Sequence, residues 1–266
     1  MLELNIIEVC LYILTGGVAG FAAGLFGVGG GLIIVPVLYY IFSAHGYEQQ
    51  HLMHMAVATS LATIVITSMS SALAHHKKQA VLWPLVMLLT PGIILGAWAG
   101  GVFASELDNG VLTSIFAVFE LIVAIHLLFK KQPSQHATSI NRIAATAGGF
   151  VIGFISAIVG IGGGTMTVPF LHWFNVSMQK AVATSAACGF PIALIGTLSY
   201  VYTGRDQQGS ALSIGYLHLY ALFFIACTSF LFASLGAKIA HSISEIKLRL
   251  SFSLLLFILS ATMFLS

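Results

Sequence analysis

The segment GFAAGLFGVGGGLIIVPVL at 20–38 returns as GFISAIVGIGGGTMTVPFL at 153–171, which limits the chain to folds that are built twice. Gly20/Gly153, Phe21/Phe154, Gly27/Gly160, Gly29/Gly162, Gly30/Gly163, Gly31/Gly164, Val35/Val168, Pro36/Pro169 and Leu38/Leu171 all keep an offset of 133 residues. A second match follows in the same order, Ala56–Ser60 (AVATS) recurring as Ala181–Ser185 at an offset of 125. The chain is therefore read as a tandem duplication, with repeats at 1–132 and 133–266 joined into one unit.

Both copies lie in sequence that water would not tolerate. Of 266 residues 58% are hydrophobic and only 7% charged, against about a quarter charged in a soluble domain. Mean hydropathy is +1.00. The chain is expected to be an all-α polytopic membrane protein, with two inverted-topology repeats of about five hydrophobic segments each and helices broken at glycine. A formal charge of +2 provides no basic surface for nucleic acid. Cys10, Cys188 and Cys227 are odd in number and lie in apolar runs, which excludes a disulfide framework and reads as buried small hydrophobes. The N-terminus lacks a basic n-region and a small-residue cleavage site, so it reads as a retained first helix.

Apolar segments fall at about 5–26, 31–43, 55–74, 81–103 and 111–129, and again at about 143–159, 165–174, 181–202, 213–237 and 248–265. The short segments after each glycine run are half-helices or broken spans, because ten to thirteen residues reach only about 15–20 Å. With five crossings per repeat and the N-terminus outside, Lys77, Lys78, Lys130, Lys131, Arg142, Lys180, Lys238, Lys247 and Arg249 fall inside. Arg205 alone falls outside, as the positive-inside rule requires. Glu3, Glu8, Glu48, Glu106, Asp108 and Asp206 fall mostly outside.

Three successive glycines in an apolar run should unwind a helix, and unwound backbone at membrane depth survives only when packed in protein or lining a wet cavity. The helices restarting near Leu32 and Thr165 would then present unpaired N–H groups and a positive dipole end to an anion. The candidate substrate-binding residues are Gly27, Gly29, Gly30, Gly31, Gly160, Gly162, Gly163, Gly164 and Thr165, with the hydroxyls of Thr59, Ser60, Thr184 and Ser185 as further donors. The last four could equally bond to carbonyls of their own helices. Gly16, Gly17, Gly20, Gly24, Gly96, Gly100 and Gly101 read as close-packing positions. Pro36, Pro169 and Pro191 are candidate gating kinks. Glu120, in the middle of an apolar segment, is a candidate for a coupling proton, although the second repeat has no matching acid. His126 need not share its face.

Other chemistries lack their motifs. No Lys-Ser or Lys-Thr pair follows the glycines, so no Walker-type loop exists, and no nucleophile elbow appears. No cofactor and no metal is expected. His45, His51 and His54 read as a polar outer loop, and His75-His76-Lys77-Lys78 as an inner membrane-surface anchor.

With both G-x-G-G-G-x-x-x-V-P segments and both A-V-A-T-S segments present, the sequence resembles the TauE/SafE sulfite exporter family, also known as the toluene-sulfonate uptake permease family. The resemblance covers nearly the whole length and rests on Gly27 to Pro36, Gly160 to Pro169, Thr59-Ser60 and Thr184-Ser185. It implies a multi-pass carrier of the bacterial or archaeal inner membrane, in contact with lipid, that moves sulfite or a small organosulfonate by alternating access, with export and an ion gradient expected. An anion channel, or a non-transporting membrane subunit that binds a partner or metal, is the competing reading.

Overall fold

A computed structural model describes residues 6–26, 29–128, 141–206, 213–240 and 245–265. Among them lie ten helices: α1 Ile6–Phe26, α2 Gly31–Ala44, α3 Leu52–Lys77, α4 Trp83–Ser105, α5 Asn109–Leu128, α6 Arg142–Val159, α7 Gly164–Trp173, α8 Met178–Thr203, α9 Leu219–Ala240 and α10 Glu245–Phe264. Strands β1 Ser213–Ile214 and β2 Leu217–His218 form a short antiparallel hairpin between α8 and α9. Six helices are long and apolar enough to cross a bilayer. In hydrocarbon a helix is the solution that satisfies every backbone group within one segment, so the apolar runs become helices. They end where a cap or a turn intervenes. Asn141 accepts the Ala144 N–H at 2.7 Å to start α6, and Gly160 at φ 74° ends it.

Helix packing repeats itself when the halves are exchanged. α1 runs along α9 and α4 along α6, while α3 packs on α8 and α5 on α10. Substituting α1 for α6 and α4 for α9 turns the first pair into the second. Small residues make both seams close. A Cβ on Gly16 or Gly20 would meet backbone of Ile225 or Ser229 at 2.6 and 2.4 Å, and one on Gly96 or Gly100 would meet the Phe150 or Phe154 carbonyl at 2.1 and 2.3 Å. Gly149 and Gly153, the repeat equivalents of Gly16 and Gly20, press on Leu89 and Ile93 in the same way. These contacts agree with the close-packing reading of those glycines. Gly101 instead faces Ser199 of α8, and Gly17 has only ordinary contact with Phe232.

The centre of the molecule is the first half of α3, where every residue from Leu52 to Ile64 is buried, and α2, which is buried along most of its length. α7 is different: only Thr167 and Leu171 are buried, and Trp173 is 75% exposed. The outer surface carries Leu14, Leu95, Phe223, Leu231 and Leu254, the apolar skin of a protein solvated by lipid.

Three sequence expectations need correction. Cys188 is buried, but Cys10 and Cys227 are exposed, on the apolar exterior that lipid covers rather than in the core. His54 is not part of a loop: it lies in the first turn of α3, 2% exposed, with Nε2 3.1 Å from the Ala104 carbonyl. The run at 213–237 does not begin as a helix, because Gly215 at φ 58° turns the chain into the hairpin first.

Candidate functional site

Both glycine runs interrupt a helix and start another. The Gly30 carbonyl accepts the Ile33 and Ile34 N–H groups at 3.0 Å each, and the Gly163 carbonyl accepts those of Met166 and Thr167 at 3.3 and 2.7 Å. Each carbonyl is thus the first acceptor of a new helix, and the leading N–H groups of α2 and α7 have no acceptor within their own helix. The first break is made by Gly29 and Gly30 at φ 84° and 74°, a conformation that favours glycine. Gly27 lies outside the described residues.

The two breaks meet. A Cβ on Gly31 would lie 2.5 Å from the Gly160 carbonyl oxygen, and one on Gly29 would touch the Gly162 backbone at 3.7 Å. Gly160 and Gly162 of one half therefore face Gly31 and Gly29 of the other, while Gly30 packs on Ala19 and Ala23 of α1 and Gly163 on Thr167, Ile192 and Ser185 of its own half. A small concavity beside the first break is lined by Ala22, Ala23, Gly30, Leu32, Ile33 and Phe252, all apolar.

The Thr-Ser pairs tie the halves together. Thr59 Oγ1 accepts the His218 backbone N–H at 3.1 Å, and Thr184 Oγ1 accepts the Leu82 N–H at 3.1 Å. His218 and Leu82 each precede the first residue of the helix that follows, α9 or α4, so each threonine holds the start of a helix in the opposite half. As acceptors in these bonds, both hydroxyls retain a proton to donate. Ser60 donates to the Gly160 carbonyl at 2.8 Å, joining α3 to the second break.

Around that second break the polar atoms are poorly satisfied. The hydroxyls of Ser156, Thr165, Thr167 and Ser185 are buried without a hydrogen-bond partner among the described residues. A Cβ on Gly163 would come within 2.9 Å of Thr167 Oγ1 and 3.3 Å of the Ser185 carbonyl, so the Thr167 hydroxyl and the Ser185 backbone border the start of α7. Buried hydroxyls without partners are costly. Together with the leading amides of α7 they form a donor-rich, uncharged patch, and no lysine or arginine is among the buried residues described. Such a patch suits an anion held by dipoles and hydroxyls.

Pro36 and Pro169 occupy the sixth position of α2 and α7, beyond the first turn. Lacking an N–H, they leave the Leu32 and Thr165 carbonyls without an i+4 donor, directly beside each break. Pro36 is buried and Pro169 exposed; Pro191 lies within α8, one turn beyond the Ala187 carbonyl that it leaves unpaired. Glu120 is fully buried, with neither carboxyl oxygen partnered among the described residues, while His126 on the same helix is exposed. His76 accepts from the Trp83 indole N–H at 3.0 Å, an amphipathic pairing suited to a membrane surface.

Sequence reasoning missed a second polar cluster. Glu8 accepts from the hydroxyls of Tyr12 and Tyr47, Tyr47 lies 3.0 Å from His218 Nε2, and Tyr216 stacks on His54 with ring centroids 5.1 Å apart. An ionisable residue in the first turn of an apolar helix was the available signal.

Comparison with known proteins agrees with this architecture. A family model described as sulfite exporter TauE/SafE matches residues 12–263. A probable membrane transporter protein of Haemophilus influenzae is 37% identical over 97% of this chain and 98% of its own. Another, from Methanocaldococcus jannaschii, is 29% identical over 96% of this chain and 95% of its own. A third, from Bacillus subtilis, is 28% identical over 77% of this chain and 82% of its own. No solved structure matches the chain.

Proposed function

We propose, from the premise that this chain belongs to the sulfite exporter TauE/SafE family, that it is a membrane transporter whose substrate is sulfite or a small organosulfonate, carried outward across the inner membrane of a bacterium or archaeon. The observation that carries the reading is the meeting of two glycine-broken helix starts, Gly29 against Gly162 and Gly31 against Gly160, beside buried hydroxyls that lack partners among the described residues. A sulfur oxyanion presents three acceptor oxygens. Amides at the start of α7 and the hydroxyls of Thr165, Thr167 and Ser185 are the donors that match them.

Transport proceeds by alternating access between repeats 1–132 and 133–266, inverted in the membrane with the N-terminus outside. The unequal burial of α2 and α7 supports this, since alternating access requires equivalent elements of the two repeats to have different surroundings in an end state. Pro36, Pro169 and Pro191 supply the points of bending, and Glu120 carries the coupling proton.

Purified protein in liposomes should move labelled sulfite or a sulfonate saturably. Gly163→Leu should abolish this by filling the space beside Thr167, and Glu120→Gln should remove acceleration by an imposed pH gradient. Absence of flux for every sulfur oxyanion by folded protein rejects the substrate. Unsaturable conductance shows a channel instead.

A further inference from the structure

The cluster at the start of α9 is hydrogen-bonded in one consistent direction. Ala221 donates its N–H to His218 Nδ1 at 3.2 Å, so the imidazole hydrogen is on Nε2, which donates to the Tyr47 hydroxyl at 3.0 Å. Tyr47 in turn donates to Glu8 Oε1 at 3.2 Å, beside the donation from Tyr12. The backbone of the same histidine donates to Thr59, the residue before Ser60, which reaches the Gly160 break. Thus a half-buried carboxylate is connected through two rings to the helix that carries the candidate substrate site.

We propose that Glu8, Tyr47 and His218 form a proton-binding site whose occupancy releases the start of α9 from α3. A proton arriving at Nδ1 turns that atom from an acceptor into a donor, directly opposite the Ala221 N–H. The cap cannot survive this, and the Thr59 link begins at the same residue. His218 is 2% exposed, and burial holds its imidazole down at about 4 in the linked state, well below the ordinary 6.5. The groups facing it are Glu8 and Tyr12 from α1, Tyr47 from the loop after α2 and Thr59 from α3; Phe42 of α2 adds an apolar ring at 5.3 Å. Among them only the Glu8 carboxylate favours the imidazolium. The other half makes the same bond to Thr184 with Leu82, which cannot titrate. Proton sensitivity is therefore built into one face of the bundle.

This inference extends the transport reading but is tested without a substrate. Amide hydrogen exchange of the full-length protein in liposomes, corrected for intrinsic rates, reports opening of residues 217–224 as pH is lowered from about 7.5 to about 5. The wild type should open at least about tenfold more at the acid end. His218→Gln should open independently of pH, and Glu8→Gln should shift the transition to lower pH. Exchange that ignores pH in the wild type, or a His218→Gln protein that keeps the wild-type response, overturns the proposal. In a parallel arm, sulfite exchange across the same vesicles should depend less steeply on outside pH in His218→Gln than in the wild type, the remaining dependence being that of Glu120. If the amides respond to acid while no sulfite moves, the proton site stands and the substrate assignment fails.

Discussion

Replacing Thr59 or Thr184 by valine isolates the bonds that join the halves. Valine has nearly the same shape, so packing at these fully buried positions is held while the acceptor for one backbone N–H disappears. In each case the orphaned group lies at a helix start, the His218 N–H in a buried bond and the Leu82 N–H in a part-buried one beside the exposed Trp83. Leaving a buried donor unmade costs about 1–3 kcal/mol, and the two sites use different helix ends, so a double variant should lose about 2–6 kcal/mol if the effects add. Thermal unfolding in detergent micelles, followed by loss of helical circular dichroism, should show a drop for each single variant, the larger for Thr59→Val, whose orphaned donor is the more buried. Thr→Ser at either position should recover most of the loss, since the acceptor returns. Valine variants that melt with the wild type, or a loss confined to Thr184, would refute the reasoning that both threonines act as acceptors for a helix start.

Gly96→Ala should destabilise the protein by about 1–3 kcal/mol, because its Cβ would lie 2.1 Å from the Phe150 carbonyl, whereas Gly110→Ala meets nothing within 4 Å and should melt like the wild type. Stability should also depend on pH through His218. Its folded value of about 4 is below the unfolded 6.5, so the unfolded chain binds more protons between these values and stability is lost as pH falls through that window. The loss approaches about 3 kcal/mol and should be absent from His218→Gln in chemical unfolding at matched pH.

Much of the helix map was legible because lipid makes periodic fine detail unnecessary: an uncharged run becomes a helix, and glycine triplets end it. The segment expected at 165–174 is α7 Gly164–Trp173, and that at 31–43 is α2 Gly31–Ala44. Duplication then identified the two glycine breaks, and the two Thr-Ser pairs, as equivalents of each other. It did not reveal contacts across the halves. The pairing of Thr59 with His218 spans 159 residues and runs through a backbone N–H, which no side-chain pattern records. The hairpin at 213–218 was hidden because Ile214, Tyr216 and Leu217 read as the apolar beginning of a helix. His54 was mistaken for a loop residue because its burial depends on Ala104 and Tyr216, both distant in sequence.

The seams of α1 on α9 and α4 on α6 have a historical consequence. Neither half contains both sides of its own tight contacts, so a single ancestral unit would have displayed a bare glycine stripe and the bulky ridge that fits it. Two identical copies lying head to foot could have closed both at once. On that reading of the repeats, fusion of such copies would need no new contacts and would leave each side free to diverge, as the histidine on one face and the leucine on the other do.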